Sequence, residues 1–99
     1  MATRTPPEYP DSMATLTRQS DGRSVRLGGT TTVGRTPTCD LTLPDPLVSG
    51  LHARISFRRG IWSIDDLRSR NGTLVNGKPL RRDKPQPLKK GDVITFGVT

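Results

Sequence analysis

The sequence predicts an all-β fold, a sandwich or barrel of short strands. Nowhere does an apolar repeat of 3.6 residues persist over three helical turns, so no amphipathic helix is expected. Short runs alternate apolar and polar residues instead, most clearly over 52–58, where Ala53, Ile55 and Phe57 share one face and Arg54, Ser56 and Arg58 the other. Turn signals punctuate these runs at short intervals: Asp21-Gly22, Arg59-Gly60, Asn71-Gly72, Asn76-Gly77 and Lys90-Gly91. Many strands at such spacing imply two packed sheets or a closed one.

The elements follow in order. Residues 1–12, rich in Pro, Thr and charge, read as a disordered tail, and 13–99 as one domain. Residues 13–19 alternate Met13, Thr15 and Thr17 against Ala14 and Leu16. Strands are expected at 24–28 and 30–34, the second rich in β-branched threonine. A short strand at 40–43 is stopped by Pro44 and Pro46, which put 44–50 in a loop. Beyond 52–58, strands are expected at 61–67 (Trp62 and Ile64 on the core face), 73–75, 78–80, 86–88 and 93–96.

Composition narrows the function. Ninety-nine residues with 30% hydrophobic and 4% aromatic content make one lean core. No run approaches the ~18 apolar residues of a membrane span, and Met1–Pro7 shows no signal-peptide pattern. Cys39, the single cysteine, can form no internal disulfide and suits a reducing cytoplasm. With His52 the single histidine, no structural zinc site or other cofactor site is expected. The net charge of +7 favours an anionic partner, but the cations are dispersed and aromatics for base stacking are scarce, so nucleic acid is not expected. No membrane association is expected, and a monomer is.

Chemistry concentrates in Gly34-Arg35, Ser49-x-x-His52 and the run Ser69-Arg70-Asn71-Gly72-Thr73-Leu74-Val75-Asn76-Gly77. Arg35, at a strand end after a turn-permitting glycine, offers a planar fork of donors to a phosphate. The Ser49 hydroxyl and backbone N–H groups near Gly50 can donate to the same group. Asn71 can both donate to and accept from a peptide backbone; alternatively, the Asn71-Gly72 turn itself could demand Asn for a positive φ. Ser49 with His52 could be a nucleophile and base, but no orienting acid or oxyanion hole accompanies them. Asp65 and Asp66 are adjacent on a strand and point to opposite faces, so they are no acid–base pair. No enzyme is expected.

These residues resemble the forkhead-associated (FHA) domain family. The signature is Gly34-Arg35, Ser49-x-x-His52, Asp66-Leu67-x-Ser69-x-Asn71-Gly72-Thr73-x-x-Asn76-Gly77 and Leu88-x-x-Gly91-Asp92-x-Ile94-x-Phe96-Gly97, in order and with family-like spacing. The resemblance implies a β-sandwich of 10–11 short antiparallel strands, the last lying beyond Gly97, where this sequence has only Val98-Thr99. It further implies that loops at one end bind phosphothreonine peptides made by a Ser/Thr kinase; the alternative is a phosphate-independent scaffold that uses the sandwich surface for assembly. On that resemblance Arg35 and Ser49 hold phosphate, Asn71 holds the peptide main chain, and Arg70 and Gly50 tune the site. Gly34, His52, Gly72 and Asn76 support the loops. Arg70 stands where relatives often have a small hydroxyl residue, and Gly50 where many have a basic or polar one. Thr5, with Glu8 three residues on, is a candidate self-ligand once phosphorylated.

Overall fold

The computed structural model describes residues 14–19, 22–82 and 84–97. The expected tail at 1–12, Met13, Thr5, Asp21 and Val98-Thr99 lie outside the described residues.

Ten strands follow one another among the described residues: β1 Thr15–Thr17, β2 Ser24–Arg26, β3 Thr30–Gly34, β4 Leu41–Thr42, β5 Ala53–Arg58, β6 Ile61–Asp66, β7 Thr73–Val75, β8 Lys78–Pro79, β9 Gln86–Pro87 and β10 Ile94–Phe96. They build a five-stranded sheet in the order β4-β3-β5-β6-β9, a three-stranded sheet β10-β7-β8 and the hairpin β1-β2. Val33, Ala53, Ile55 and Ile64 of the large sheet are fully buried. Val75, Ile94 and Phe96 of the three-stranded sheet and Leu16 of the hairpin pack onto them. That is the sandwich, one core between layers.

The alternation of β5 is realised, with one departure: Ser56, on the polar face, is only 5% exposed. It sits mid-sheet, paired with Thr30 on one side and Ser63 on the other. Trp62 is half-buried against Phe57, ring centroids 4.9 Å apart. The hairpin turns are built on positive φ at Arg59-Gly60 (53° and 77°) and Asn76-Gly77 (53° and 81°), the geometry that matches strand twist.

The pairings are antiparallel as expected, except that β4 runs parallel to β3, Val33 opposite Leu41. The six-residue loop 35–40 makes this reversal possible because it is stitched to the strand. Asp40 Oδ2 accepts from the Thr32 N–H (3.0 Å) and hydroxyl (3.1 Å), and the Asp40 N–H donates to Thr32 Oγ1 (3.0 Å). These bonds hold the Asp40 carboxyl below the usual carboxylate range, the Thr32 N–H contributing most.

Register decides where the loops go. Val33 lies opposite Ala53, Ala53 opposite Asp66, and Thr73 opposite Phe96. The ends of β3, β6 and β10 and the starts of β5 and β7 therefore meet at one end of the sandwich. Loops 35–40, 43–52 and 67–72 emerge together there.

Candidate functional site

The five residues expected to bind ligand, Arg35, Ser49, Gly50, Arg70 and Asn71, line a single open depression of about 310 Å³, completed by Pro46, Leu47 and Val48. They come from three loops, joined by hydrogen bonds that fix each group's free donors.

Ser49 is the crossing point. Its carbonyl accepts the Arg35 N–H at 2.9 Å, its N–H donates to His52 Nδ1 at 3.0 Å, and its Oγ accepts the Arg70 N–H at 2.9 Å. With a lone pair of Oγ engaged, the hydroxyl hydrogen remains to donate into the depression. Ser49 Oγ and His52 are thus not paired as nucleophile and base. His52, fully buried, must present an unprotonated Nδ1 to the Ser49 N–H, so its proton is on Nε2, which donates to the Gly72 carbonyl at 2.8 Å. Its ring meets Phe96 edge-on at 5.8 Å. His52 ties loop 43–52 to loop 67–72, the supporting role expected of it. Gly72 has φ 84° and also accepts the Gly97 N–H at 3.0 Å.

Gly34 is required for a reason other than a turn, since its φ is not in the left-handed region. A Cβ there would collide with the Gly50 carbonyl and lie 2.7 Å from Cys39 Sγ. The Gly50 carbonyl accepts from the Thr36 N–H (3.2 Å), the Thr36 hydroxyl (3.1 Å) and the buried Cys39 thiol (3.3 Å). Loops 35–40 and 43–52 are pressed together across that oxygen.

The Asn71-Gly72 turn leaves Asn71 outside the left-handed region; Gly72 and Arg68 carry the positive φ values, 84° and 58°. Asn71 is therefore not demanded by backbone geometry. Its Nδ2 donates to the Leu47 carbonyl at 2.9 Å, leaving the second amide hydrogen and Oδ1 at the rim. Asn76 departs from its expected place beside the loops. It sits at the far end of β7, where its side chain clamps Asp92 Oδ1 (2.9 Å) and the Val93 N–H (2.9 Å), because β7 carries it a strand's length from Gly72.

Sequence reasoning had Asp66, Ser69 and Thr73 in the family-like signature without a role for each, and passed over Arg82, yet together they hold loop 67–72. Asp66 Oδ1 accepts the hydroxyls of Ser69 (2.5 Å) and Thr73 (2.7 Å), and Oδ2 the Ser69 N–H (3.0 Å). Ser69 Oγ then accepts the Gly72 N–H at 3.0 Å. Burial pushes the Asp66 carboxyl up, but the bonds from Ser69 and Thr73 outweigh it and hold it below the usual carboxylate range. The Asp-x-x-Ser spacing within that signature, a local side-chain-to-backbone motif, carries the physical meaning of this set. Arg82 reaches in from the β8–β9 connection and donates to the Ser69 carbonyl at 2.7 Å; no sequence pattern marks it.

The guanidinium groups of Arg35 and Arg70 are exposed and have no partner among the described residues. Two unneutralised cations and a hydroxyl donor over one depression form a receptor for a multiply charged anion.

Known proteins are similar to this chain in sequence and in fold. The DNA damage response protein kinase DUN1 of Saccharomyces cerevisiae is 40% identical over 75 residues, which is 68% of this chain but 14% of that kinase. The structure of Mycobacterium tuberculosis EmbR in complex with a low affinity phosphopeptide matches at TM-score 0.81 and 32% identity, over 86% of this chain and 22% of EmbR. The N-terminal FHA domain of Saccharomyces cerevisiae Rad53p, in complex with a phosphothreonine peptide, matches at TM-score 0.75 and 27% identity, over 85% of this chain and 80% of that one. The FHA-domain family itself matches residues 31–97, from the second residue of β3 to the glycine that closes on Gly72. That span includes every loop of the depression, and the chain belongs to the FHA-domain family.

Proposed function

We propose that this chain is a non-enzymatic reader of phosphothreonine peptides, acting in the cytoplasm as a monomer on ligands made by a Ser/Thr kinase. The observation that carries the reading is the convergence of the free Arg35 and Arg70 guanidiniums and the Ser49 hydroxyl on one depression rimmed by Asn71. A phosphothreonine carries about −1.5 to −2 charges and strong acceptor oxygens at neutral pH. Arg35 and Ser49 hold the phosphate, and the Gly50 N–H, which has no acceptor among the described residues, adds a donor. Asn71 takes the peptide main chain through the amide atoms that Leu47 leaves free. Pro46 and Leu47 supply what apolar lining the depression has, a place for the threonine methyl that serine would leave empty. The complexes of EmbR and Rad53p support the reading.

Three or four charge-assisted hydrogen bonds, offset by the ordering of a peptide, give ~6–9 kcal/mol, or roughly micromolar binding. Fluorescence anisotropy with a degenerate phosphothreonine library tests this, with phosphoserine and unphosphorylated libraries and the Arg35→Ala protein as controls. Binding that needs phosphate, prefers threonine and is lost with Arg35→Ala is the expected result. Equal binding of the unphosphorylated library would overturn it.

A further inference from the structure

The register that gathers the binding loops at one end of the sandwich gathers a different set of side chains at the other. Arg58 lies opposite Ile61 across the β5–β6 hairpin. The Leu88 N–H donates to the Trp62 carbonyl at 2.8 Å, so the pairing of Ser63 with Pro87 runs on and brings Lys89 beside Ile61. Ile61 is thus an aliphatic side chain with a cation on each side, and it is 54% exposed. Arg59 in the hairpin turn and Lys90 after Lys89 extend the row, and Lys78 follows the neighbouring Asn76-Gly77 turn, all of them exposed. We propose that this end of the sandwich is a peripheral docking surface for a membrane of anionic lipid headgroups, with Ile61 entering the interface. The proposal is independent of the peptide reading, and it leaves the depression at the other end facing solvent.

The turns at this end are held as one surface. Asp92 Oδ1 accepts from Asn76 Nδ2 at 2.9 Å and Oδ2 from the Lys89 N–H at 2.8 Å, while the Asn76 N–H donates to the Val93 carbonyl at 2.7 Å. These bonds join turn 76–77 to turn 89–92, and Leu88 joins the latter to the β5–β6 hairpin. Val93, 40% exposed, is a second aliphatic side chain on this surface. The nearby acids do not cancel the cations. Asp92 is spent on Asn76 and the Lys89 N–H, and Asp65, further along the sheet face, pairs with Arg54 at 3.3 Å. Arg58, Arg59, Lys78 and Lys90 have no ion pair among the described residues. Cations spread over several turn tips around exposed aliphatic side chains suit a surface that is anionic, extended and without sequence. A nucleic acid would want aromatic faces for its bases, and Phe57 and Trp62 are packed against each other. An acidic polypeptide would satisfy the cations but not Ile61, which a lipid surface takes up below its headgroups. Among the described residues no helix is long and apolar enough to cross a membrane, and a peripheral contact needs none.

The test is co-sedimentation of the full chain with phosphatidylcholine vesicles that carry about 30% phosphatidylserine or none. Three variants accompany the wild type: Arg58→Gln/Arg59→Gln/Lys89→Gln, the charge-matched Arg68→Gln/Arg81→Gln/Lys84→Gln, and Ile61→Ser, which leaves the charge unchanged. Thermal unfolding shows that each is folded, and all the substitutions are at exposed positions. The expected result is binding that needs phosphatidylserine and fades as salt rises from about 0.1 M to about 0.5 M. The first triple variant is expected to weaken it roughly 10- to 100-fold and Ile61→Ser about threefold to tenfold, with the charge-matched triple within about threefold of wild type. Equal binding to both kinds of vesicle, or equal weakening by the two triple variants, would overturn the surface. Retention on immobilised poly-glutamate without vesicle binding would overturn it in favour of an acidic protein partner.

Discussion

The Ser49 hydroxyl oxygen accepts the backbone N–H of Arg70 at 2.9 Å, across 21 residues of sequence. The same hydroxyl thus orders the loop that carries Arg70 and Asn71 and keeps its own hydrogen free to donate into the depression. On the proposed function, binding and loop order share one atom.

Ser49→Ala removes both functions. Loss of one hydrogen bond to a charged group, about 1.5–3 kcal/mol, weakens phosphopeptide binding by roughly 10- to 100-fold. Stability falls by less, about 1 kcal/mol or below, because the Arg70 N–H is near enough to solvent to find water. Anisotropy titration and urea denaturation of the same preparation separate the two effects.

Asp66→Asn strips acceptors from Ser69 and Thr73 in a buried cluster and is expected to cost roughly 2–3 kcal/mol at neutral pH by urea denaturation. The folded carboxyl is held below its usual value, so its contribution is present above the unfolded carboxylate pKa of ~3.9 and is lost as pH falls through the lower folded value. The gap between wild type and Asp66→Asn is expected to stay constant from neutral pH to about pH 5 and to narrow below pH 4. A gap that widened on acidification would contradict this.

Gly34→Ala drives a methyl into the Gly50 carbonyl and Cys39 Sγ, neither of which can withdraw without moving a loop. The expected loss is about 2–3 kcal/mol, with weaker peptide binding because Gly50 is displaced. Thermal unfolding and anisotropy together measure it.

Asn76→Gly keeps the positive φ but loses the side-chain bonds to Asp92 and Val93. Stability is expected to fall by about 1–2 kcal/mol. Peptide affinity should change by less than about twofold, because the turn is at the opposite end of β7 from the site. An affinity loss as large as the one for Ser49→Ala would mean that the clamp reaches the loops after all.

The fold and much of the site are legible in the sequence, for identifiable reasons. β3 and β7 can be bounded to the residue because Gly34, Gly72 and Asn76-Gly77 end them sharply. Ser49 stands out in a proline-bounded loop, and His52, the single histidine, at the start of the clearest strand. The parallel run of β4 is not legible, since alternation carries no strand direction and the Thr32–Asp40 stitch that permits it is visible only in space. Gly34 is legible as important but not for the right cause, since it looks like a turn residue and instead makes room for Gly50; Asn71 is legible through its amide, but its bond to the Leu47 carbonyl is visible only in space. Arg82 is silent in sequence because its partner, the Ser69 carbonyl, is a backbone atom 13 residues away.

The thiol of Cys39, 7% exposed and bonded to the Gly50 carbonyl, is the chain's only one. Parting of loops 35–40 and 43–52 breaks that bond and uncovers the thiol to a small alkylating reagent. The labelling rate of the unmodified protein therefore clocks how often the anion receptor comes open. Occupancy of the depression then registers as slowed alkylation, without a dye or a tag.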